Sequence, residues 1–212
     1  MMFGIQTKTD TNDLVYEDLN VKMLRDTDVN HLSMYVNVFS NCRMMRYNNT
    51  GEVKRVDECE AQFVLAAQNK FPFSYFICYY KDTPIGICSI YLSENEREVG
   101  FSFFVLPEYQ RGGKGMTTET SLNNTVDNNI KTKSIQLKNK EGFGSQILQW
   151  IIKIIKKFKQ TKQYGFENIV IIAALVNVDN QASLRVIKKA GFKEESVGFF
   201  RNNEAIRLIL RI

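Results

Sequence analysis

The chain has 212 residues, of which 44% are hydrophobic and 24% are charged, and its formal net charge is +5. These values are ordinary for a soluble globular protein with one substantial core. The longest apolar run, 169–176, is too short to span a bilayer, and no basic patch with interleaved aromatic residues supports nucleic-acid binding.

The cysteines and the first residues indicate a cytoplasmic protein. Cys42, Cys59, Cys78 and Cys88 include no C-x-x-C pair and no zinc spacing, so we expect reduced, mostly buried thiols and no metal site. Residues 1–13 are polar and are expected to form a flexible tail. They lack a basic region followed by an apolar one, so no signal peptide is expected.

The first half of the chain predicts a strand, two helices and three strands. Alternation indicates a strand at 20–24, and residues 25–28 supply capping groups for a helix. The helix carries apolar residues at helical intervals: Val29, Leu32, Tyr35, Val36 and Phe39. His31 lies on this helix, and we expect a satisfied or solvent-facing side chain rather than a catalytic one. A second helix is predicted at 56–69.

Three segments rich in β-branched and aromatic residues follow, at 74–80, 85–92 and 98–105. Hairpin-length turns separate them, so we expect three adjacent antiparallel strands.

The second half predicts a long amphipathic helix that ends near Phe158, a strand at 168–175 and a short helix at 181–189 that ends before Gly191. Strands at 197–200 and 205–210 would close the fold. The buried stripe of the long helix would consist of Ile147, Leu148, Ile151, Ile154, Ile155 and Phe158.

One segment has a different composition. Residues 117–140 are dominated by Asn, Thr, Lys and Ser, with few apolar side chains to bury. We therefore expect a domain at 14–212 that a flexible, low-complexity insertion interrupts at about 112–140.

Glycines at the start of the long helix indicate an anion site. The segment Gly142-Phe143-Gly144-Ser145 follows a strand and a turn in the predicted order and opens the helix. The first N–H groups of a helix have no intrahelical partner, and the helix dipole adds positive potential there. By itself this signal is weak.

Two motifs together resemble the GNAT superfamily of acetyl-coenzyme A-dependent N-acetyltransferases. Gln110-Arg111, joined to Gly142-Phe143-Gly144, is similar to that family's Gln/Arg-x-x-Gly-x-Gly/Ala signature. Residues 177–184, followed by Ala190-Gly191-Phe192, resemble its asparagine-x-x-serine helix and its glycine-phenylalanine end.

The resemblance covers roughly residues 20–212. Segments 43–47 and 98–101 are most similar to the branch that contains ribosomal-protein alanine N-acetyltransferases. The implied fold is of the α/β class, with a mixed, mostly antiparallel sheet of six to seven strands and helices on both faces.

The continuous segment from Gln110 to Gly115 also matches the signature, and this second copy does not require the predicted insertion to be left out. A polar run follows it, whereas a strongly amphipathic helix follows Gly144, so we favour the copy at 142–144. Neither copy is a Walker loop or a dinucleotide fingerprint.

The resemblance implies acetyl-coenzyme A as cosubstrate. The N–H groups of 142–145 would hold its pyrophosphate, Arg111 would reach a phosphate oxygen, and the backbone of 104–106 would pair with the pantetheine arm. The implied cofactor residues are Phe104, Val105, Leu106, Gln110, Arg111, Gly142, Phe143, Gly144, Ser145 and Asn180.

Two catalytic residues are also implied. Glu98, near the expected acceptor mouth, is the candidate base, and a solvated strand-edge glutamate is the alternative reading. The family's usual tyrosine acid is replaced by Ile187, so Ser183 is the candidate acid. Asn180 would bind the pantetheine arm or cap a helix.

The expected function is acetyl transfer from acetyl-coenzyme A to an amine, with a protein N-terminal α-amine as the first hypothesis. The alternatives are a polyamine or antibiotic acceptor, or an inactive domain that binds coenzyme A. We expect a cytoplasmic monomer or homodimer that binds neither nucleic acid nor membrane.

Overall fold

The structure is a computed structural model that describes residues 19–48, 52–68, 74–93, 97–110, 142–200 and 203–212. The strands within these ranges are β1 Leu19–Met23, β2 Ser74–Tyr80, β3 Thr83–Leu92, β4 Glu98–Val105, β5 Ile171–Asn177, β6 Lys193–Phe200 and β7 Asn203–Arg211. The helices are α1 Val29–Phe39, α2 Cys42–Met45, α3 Val56–Gln68, α4 Phe143–Gln160 and α5 Gln181–Lys189. The predicted tail, Arg111 and the predicted insertion lie outside the described residues.

One sheet joins the seven strands in the order β1-β2-β3-β4-β5-β7-β6. Neighbouring strands are antiparallel except β4 and β5, which are parallel. The predicted mixed, mostly antiparallel sheet is therefore confirmed. Strand β5 starts three residues later than the predicted 168, because Gly165 adopts a φ of 77° and Phe166–Asn168 then form a 3-10 turn.

Helix α4 covers one face of the sheet. All six residues of its predicted stripe are buried, and Trp150 makes an edge-to-face contact with Phe76 of β2 at a ring-centroid distance of 5.3 Å. Lysines occupy the opposite side of the helix. Since α4 runs beneath the centre of the sheet and packs against β4, this packing fixes where the first turn of α4 lies.

Helices α1, α2 and α3 cover the other face. Met34, Tyr35 and Val38 of α1 pack with Phe63 of α3 and Ile87 of β3 in a second core. Helices therefore lie on both faces of the sheet, as predicted.

The buried side of α1 differs from the apolar spacing in the sequence. Val29 is 74% exposed, whereas His31 is buried and its Nδ1 accepts a hydrogen bond from the Arg25 N–H at 3.0 Å. The Asp28 side chain accepts from the Asn30 N–H and caps the helix, so Val29 lies in the first turn, outside the core. Burial lowers the pKa of His31. The sequence predicted a satisfied or solvent-facing ring, but Nε2 is buried without a hydrogen-bond partner among the described residues, 3.5 Å from Asp28 Oδ2, so only Nδ1 is satisfied. That His31 is not catalytic stays a prediction.

The cysteines and the end of α5 agree with the local predictions. Cys59, Cys78 and Cys88 are buried free thiols, and Cys42 is an exposed one. Gly191 ends α5 with a φ of 94°, in the left-handed region that favours glycine. No helix in the described part of the chain has both the length and the apolar character needed to span a membrane.

Candidate active site

Strands β4 and β5 form a fork. They pair over three residues, from Glu98 opposite Ile171 to Gly100 opposite Ala173. Beyond that point β4 remains paired only with β3, and β5 remains paired with β7 as far as Asn177. The facing edges of β4 and β5 are therefore open to a ligand.

The backbone of β4 presents alternate residues to this fork. The Leu106 N–H donates to the Ile85 carbonyl of the preceding hairpin at 2.9 Å, so the backbone groups of Leu106 and, two residues earlier, Phe104 face β3. Those of Val105 face the fork. The Val105 carbonyl accepts a hydrogen bond from Gln110 Nε2 at 2.7 Å. Of the three predicted backbone contacts, Val105 is the one the structure turns towards the fork.

The first turn of α4 has unpaired donors. Gly142 is the N-cap and has no side chain to cap the helix. The N–H groups of Ser145 and Gln146 donate to the Gly142 carbonyl at 3.0 and 3.2 Å. Those of Phe143 and Gly144 have no partner among the described residues. Since the dipole of an 18-residue helix ends here, these N–H groups suit an anion.

Two aromatic contacts anchor this turn. The Phe143 ring is 2% exposed and contacts the rings of Tyr80 and Tyr109 at centroid distances of 5.0 and 6.1 Å. Its side chain belongs to the core, so only its backbone is available to a ligand. A Cβ at Gly144 would lie 3.4 Å from the Phe103 ring, which leaves the backbone of this turn close to β4.

A cavity of about 560 Å³ occupies the fork and reaches the start of α4. Val105 and Gly144 line it on one side, and Val176 and Ser183 line it on the other. Among the described residues the lining includes three cationic side chains, from Arg43, Arg185 and Lys189, and no aspartate or glutamate. A ligand that carries negative charge therefore suits this cavity.

The start of α5 places two predicted residues at the cavity. The Asn180 side chain accepts a hydrogen bond from the Ser183 N–H at 3.1 Å, so Asn180 serves as the N-cap of the helix. The side chain of Ser183 is half-buried and lines the cavity. Ile187, which replaces the family's tyrosine, is buried and lines the cavity with no proton to donate.

Glu98 is held in an ion pair at the closed end of the fork. Its two carboxylate oxygens accept from Arg207 Nη1 and Nη2 at 2.8 and 2.7 Å, and Arg207 Nε donates to Glu195 at 2.5 Å. These hydrogen bonds, chiefly the one with Glu98, raise the pKa of Arg207. Glu98 is not among the described residues that line the cavity, so its predicted role as base requires an intermediate group.

Tyr91 lies between Glu98 and the cavity, and reasoning from the sequence did not find it. It lies opposite Gly100 in the β3–β4 ladder, and its ring occupies the space that a Cβ of Gly100 would take. Tyr91 lines the cavity, and burial, with a smaller contribution from the Glu98 carboxylate, raises the pKa of its hydroxyl. The sequence signal that could have identified Tyr91 is its place opposite Gly100 in a predicted hairpin, where an aromatic ring can cover a glycine.

The chain resembles known proteins in its three-dimensional structure and not detectably in its sequence as a whole. No protein-family model and no curated protein sequence matches the chain. A GNAT-family acetyltransferase from Bacillus anthracis superimposes with a TM-score of 0.63 at 14% identity, covering 93% of this chain and 96% of that one. Spermidine N-acetyltransferase from Vibrio cholerae, in complex with CoA and spermine, gives 0.62 at 18% identity, with coverages of 92% and 96%.

A ribosomal-protein acetyltransferase is similar to the same degree. RimL, the ribosomal L7/L12 α-N-protein acetyltransferase in complex with coenzyme A, superimposes with a TM-score of 0.61 at 14% identity. The superposition covers 93% of this chain and 96% of the RimL chain. At these identities the similarity concerns the arrangement of the backbone, which agrees with the predicted element order. The chain therefore has the fold of the GNAT N-acetyltransferases.

Proposed function

We propose that the protein transfers an acetyl group from acetyl-coenzyme A to a primary amine. The observation that carries this proposal is that the β4–β5 fork and the unpaired N–H groups at the start of α4 open into one cavity. Two of the similar structures, the Vibrio cholerae enzyme and RimL, are complexes with coenzyme A. An elongated ligand with an amide-rich arm and a pyrophosphate fits both features.

The residues present fit coenzyme A. The pyrophosphate would accept hydrogen bonds from the N–H groups of Phe143 and Gly144, because no side chain caps this helix. Arg111 would add a guanidinium. The backbone of Val105 would pair with an amide of the pantetheine arm, which would extend along β4 as a strand does. Bound acetyl-coenzyme A supplies an activated acyl group as a thioester.

Proton transfer falls to side chains near the fork. Glu98 would act as the base through Tyr91 or a water molecule, since Tyr91 lines the cavity and lies close enough for the Glu98 charge to affect its pKa. Ser183 would return a proton to the departing thiolate from the α5 side of the cavity. The cavity would also hold both reactants together, which removes a large entropic barrier.

The first hypothesis for the acceptor is a protein N-terminal α-amine, and the cytoplasm is the proposed compartment. RimL, which acts on a ribosomal protein, supports this choice, and segments 43–47 and 98–101 agree with that branch. The spermidine and aminoglycoside acetyltransferases of the same fold keep a small-molecule acceptor as the alternative. Ile187 in place of the usual acid keeps an inactive coenzyme A-binding domain as the third reading.

Coenzyme A is expected to stabilise the protein, because it would bind the folded chain and not the unfolded one. At 100 times the dissociation constant the gain is about 2.7 kcal/mol, which thermal melts can measure. Release of free thiol from acetyl-coenzyme A in the presence of peptide or polyamine panels would then report turnover. Stabilisation without turnover would select the inactive domain, and no stabilisation at millimolar coenzyme A would refute the whole proposal.

Glu98→Gln is expected to lower kcat by about 10²-fold and to leave the KM for acetyl-coenzyme A unchanged, because a general base commonly contributes at least that factor. Arg207→Gln is the matched control, since it breaks the same ion pair and retains the carboxylate. It should lower the melting temperature and retain most of kcat. Equal losses of kcat in the two variants would show that the ion pair is structural and that Glu98 is not the base.

A further inference from the structure

The cavity is lined by residues from elements on both faces of the sheet. Towards the face covered by α4 and α5 it is lined by Gly144 and by Arg185 and Lys189. Towards the face covered by α1, α2 and α3 it is lined by Arg43 and Tyr47. If the cofactor enters from the α4 side, as the unpaired N–H groups require, the acceptor enters past α2.

The α2 side carries free positive charge. Arg43 is exposed, lines the cavity and forms no ion pair within the described part of the chain. Arg46, three residues later, is also exposed, and its guanidinium lies over the Tyr47 ring at 5.3 Å from the ring centroid. Tyr47 itself lines the cavity, so both cations lie at this opening.

The described carboxylates near the fork lie outside the cavity lining. Glu98 and Glu195 share the single Arg207 guanidinium, so this cluster keeps one net negative charge, which the lining does not include. No described aspartate or glutamate lines the cavity. A polycation such as spermidine or an aminoglycoside would therefore meet cations of the same sign and no described carboxylate to bind.

We propose that the acceptor is the free α-amine of an acidic N-terminal peptide segment, and that Arg43 binds a carboxylate of that segment. The proposal rests on the acetyl transfer argued above and specifies its substrate class. Arg43 is exposed, and solvent weakens an exposed ion pair, so we expect an effect of about two- to fivefold on kcat/KM.

The chemistry requires the peptide to present its amine at the fork. The amine, deprotonated by the base, forms a bond to the acetyl carbon as the carbon–sulfur bond breaks. One proton leaves through the base, and the second proton of the nitrogen passes to the coenzyme A thiolate. The products are an N-acetylated peptide, free coenzyme A thiol and one proton, and no other reactant is needed.

The test compares peptides that share their N-terminal residue and differ in the next four, which are acidic, neutral or basic, together with spermidine. We expect kcat/KM for the acidic peptide to exceed that for the neutral peptide about two- to fivefold, and the ratio to shrink as salt screens the charges. Arg43→Glu should remove or invert this preference. Lys156→Glu, an equal charge change on the exposed side of α4, should leave it intact, and thermal melts should show both variants folded.

The outcomes separate this inference from the proposed function. Equal rates with acidic and neutral peptides, an unchanged preference in Arg43→Glu, or faster turnover of spermidine would overturn the acidic-acceptor inference and leave acetyl transfer standing. Absence of turnover with every amine would overturn acetyl transfer, and the inference with it.

Discussion

Gly144→Glu is expected to weaken coenzyme A binding by about 10³-fold and to make the fold slightly more stable. The new carboxylate would lie in the first turn of α4, where the N–H groups of Phe143 and Gly144 have no partner among the described residues. Each negative charge of a pyrophosphate about 5 Å away would repel it by about 3 kcal/mol at an effective dielectric constant of 20. Isothermal titration with coenzyme A measures the loss.

Stability should move in the opposite direction. A negative side chain in the first turn of a helix is favourable by about 0.3–1 kcal/mol, and any residue other than proline favours a helix more than glycine does. Gly144→Gln is the control, because it has the same shape without the charge. If the glutamine variant binds as weakly as the glutamate one, steric exclusion is the cause. If neither variant weakens binding, the pyrophosphate does not bind at this turn.

Trp150→Ala is expected to destabilise the protein by about 3–5 kcal/mol, the range for removing a large aromatic side chain from a core. Trp150 is 1% exposed and packs against Phe76 beneath the centre of the sheet. Neighbouring side chains can do little to fill the cavity left by the indole ring, because Ile147, Ile151 and Ile154 are already packed in the same buried stripe of α4. Chemical denaturation measures the change in free energy of unfolding.

Lys156→Ala is the matched control on the same helix. Its side chain is exposed on the side opposite to Trp150, so the change in stability should stay within about 0.5 kcal/mol. A double mutant with Phe76→Ala isolates the ring contact, for which a coupling of about 0.5–1.5 kcal/mol is expected. A loss below about 1 kcal/mol for Trp150→Ala would contradict the packing of α4 described above.

Much of the fold was predictable because its signals are local. Strands β2 and β4 and helix α5 have the predicted bounds, since turn residues or a terminal glycine flank each of them. The buried stripe of α4 follows from helical spacing alone. The start of the helix after Gly142 was predicted from the amphipathic pattern, which the alternative glycine turn at 112–115 lacks.

The site was less predictable because its contacts are distant in sequence. Glu98 and Arg207 are separated by 109 positions, and no local pattern links a strand-edge glutamate to an arginine of the last strand. The packing of Tyr91 over Gly100 depends on the register of a hairpin. The charge of the cavity emerges only when α2, β4 and α5 are brought together. Composition indicated a solvated basic surface and did not indicate which cationic side chains line the cavity.

The short parallel pairing of β4 with β5 has a mechanical consequence. Three residue pairs are few beside the seven that join β4 to β3 and β5 to β7, so the angle between the two half-sheets is set largely by the core in which α4 packs against both. Strands advance about 3.3 Å per residue, so a rotation of about 5° would move Phe101 by about 0.3 Å and Val105 by about 1.4 Å. For the same change in that angle, the end of the cleft beside Tyr91 would therefore move several times less than its outer end. A repacking of the core beneath the sheet would change the room for the outer part of a ligand and leave the position of the reacting atoms nearly the same.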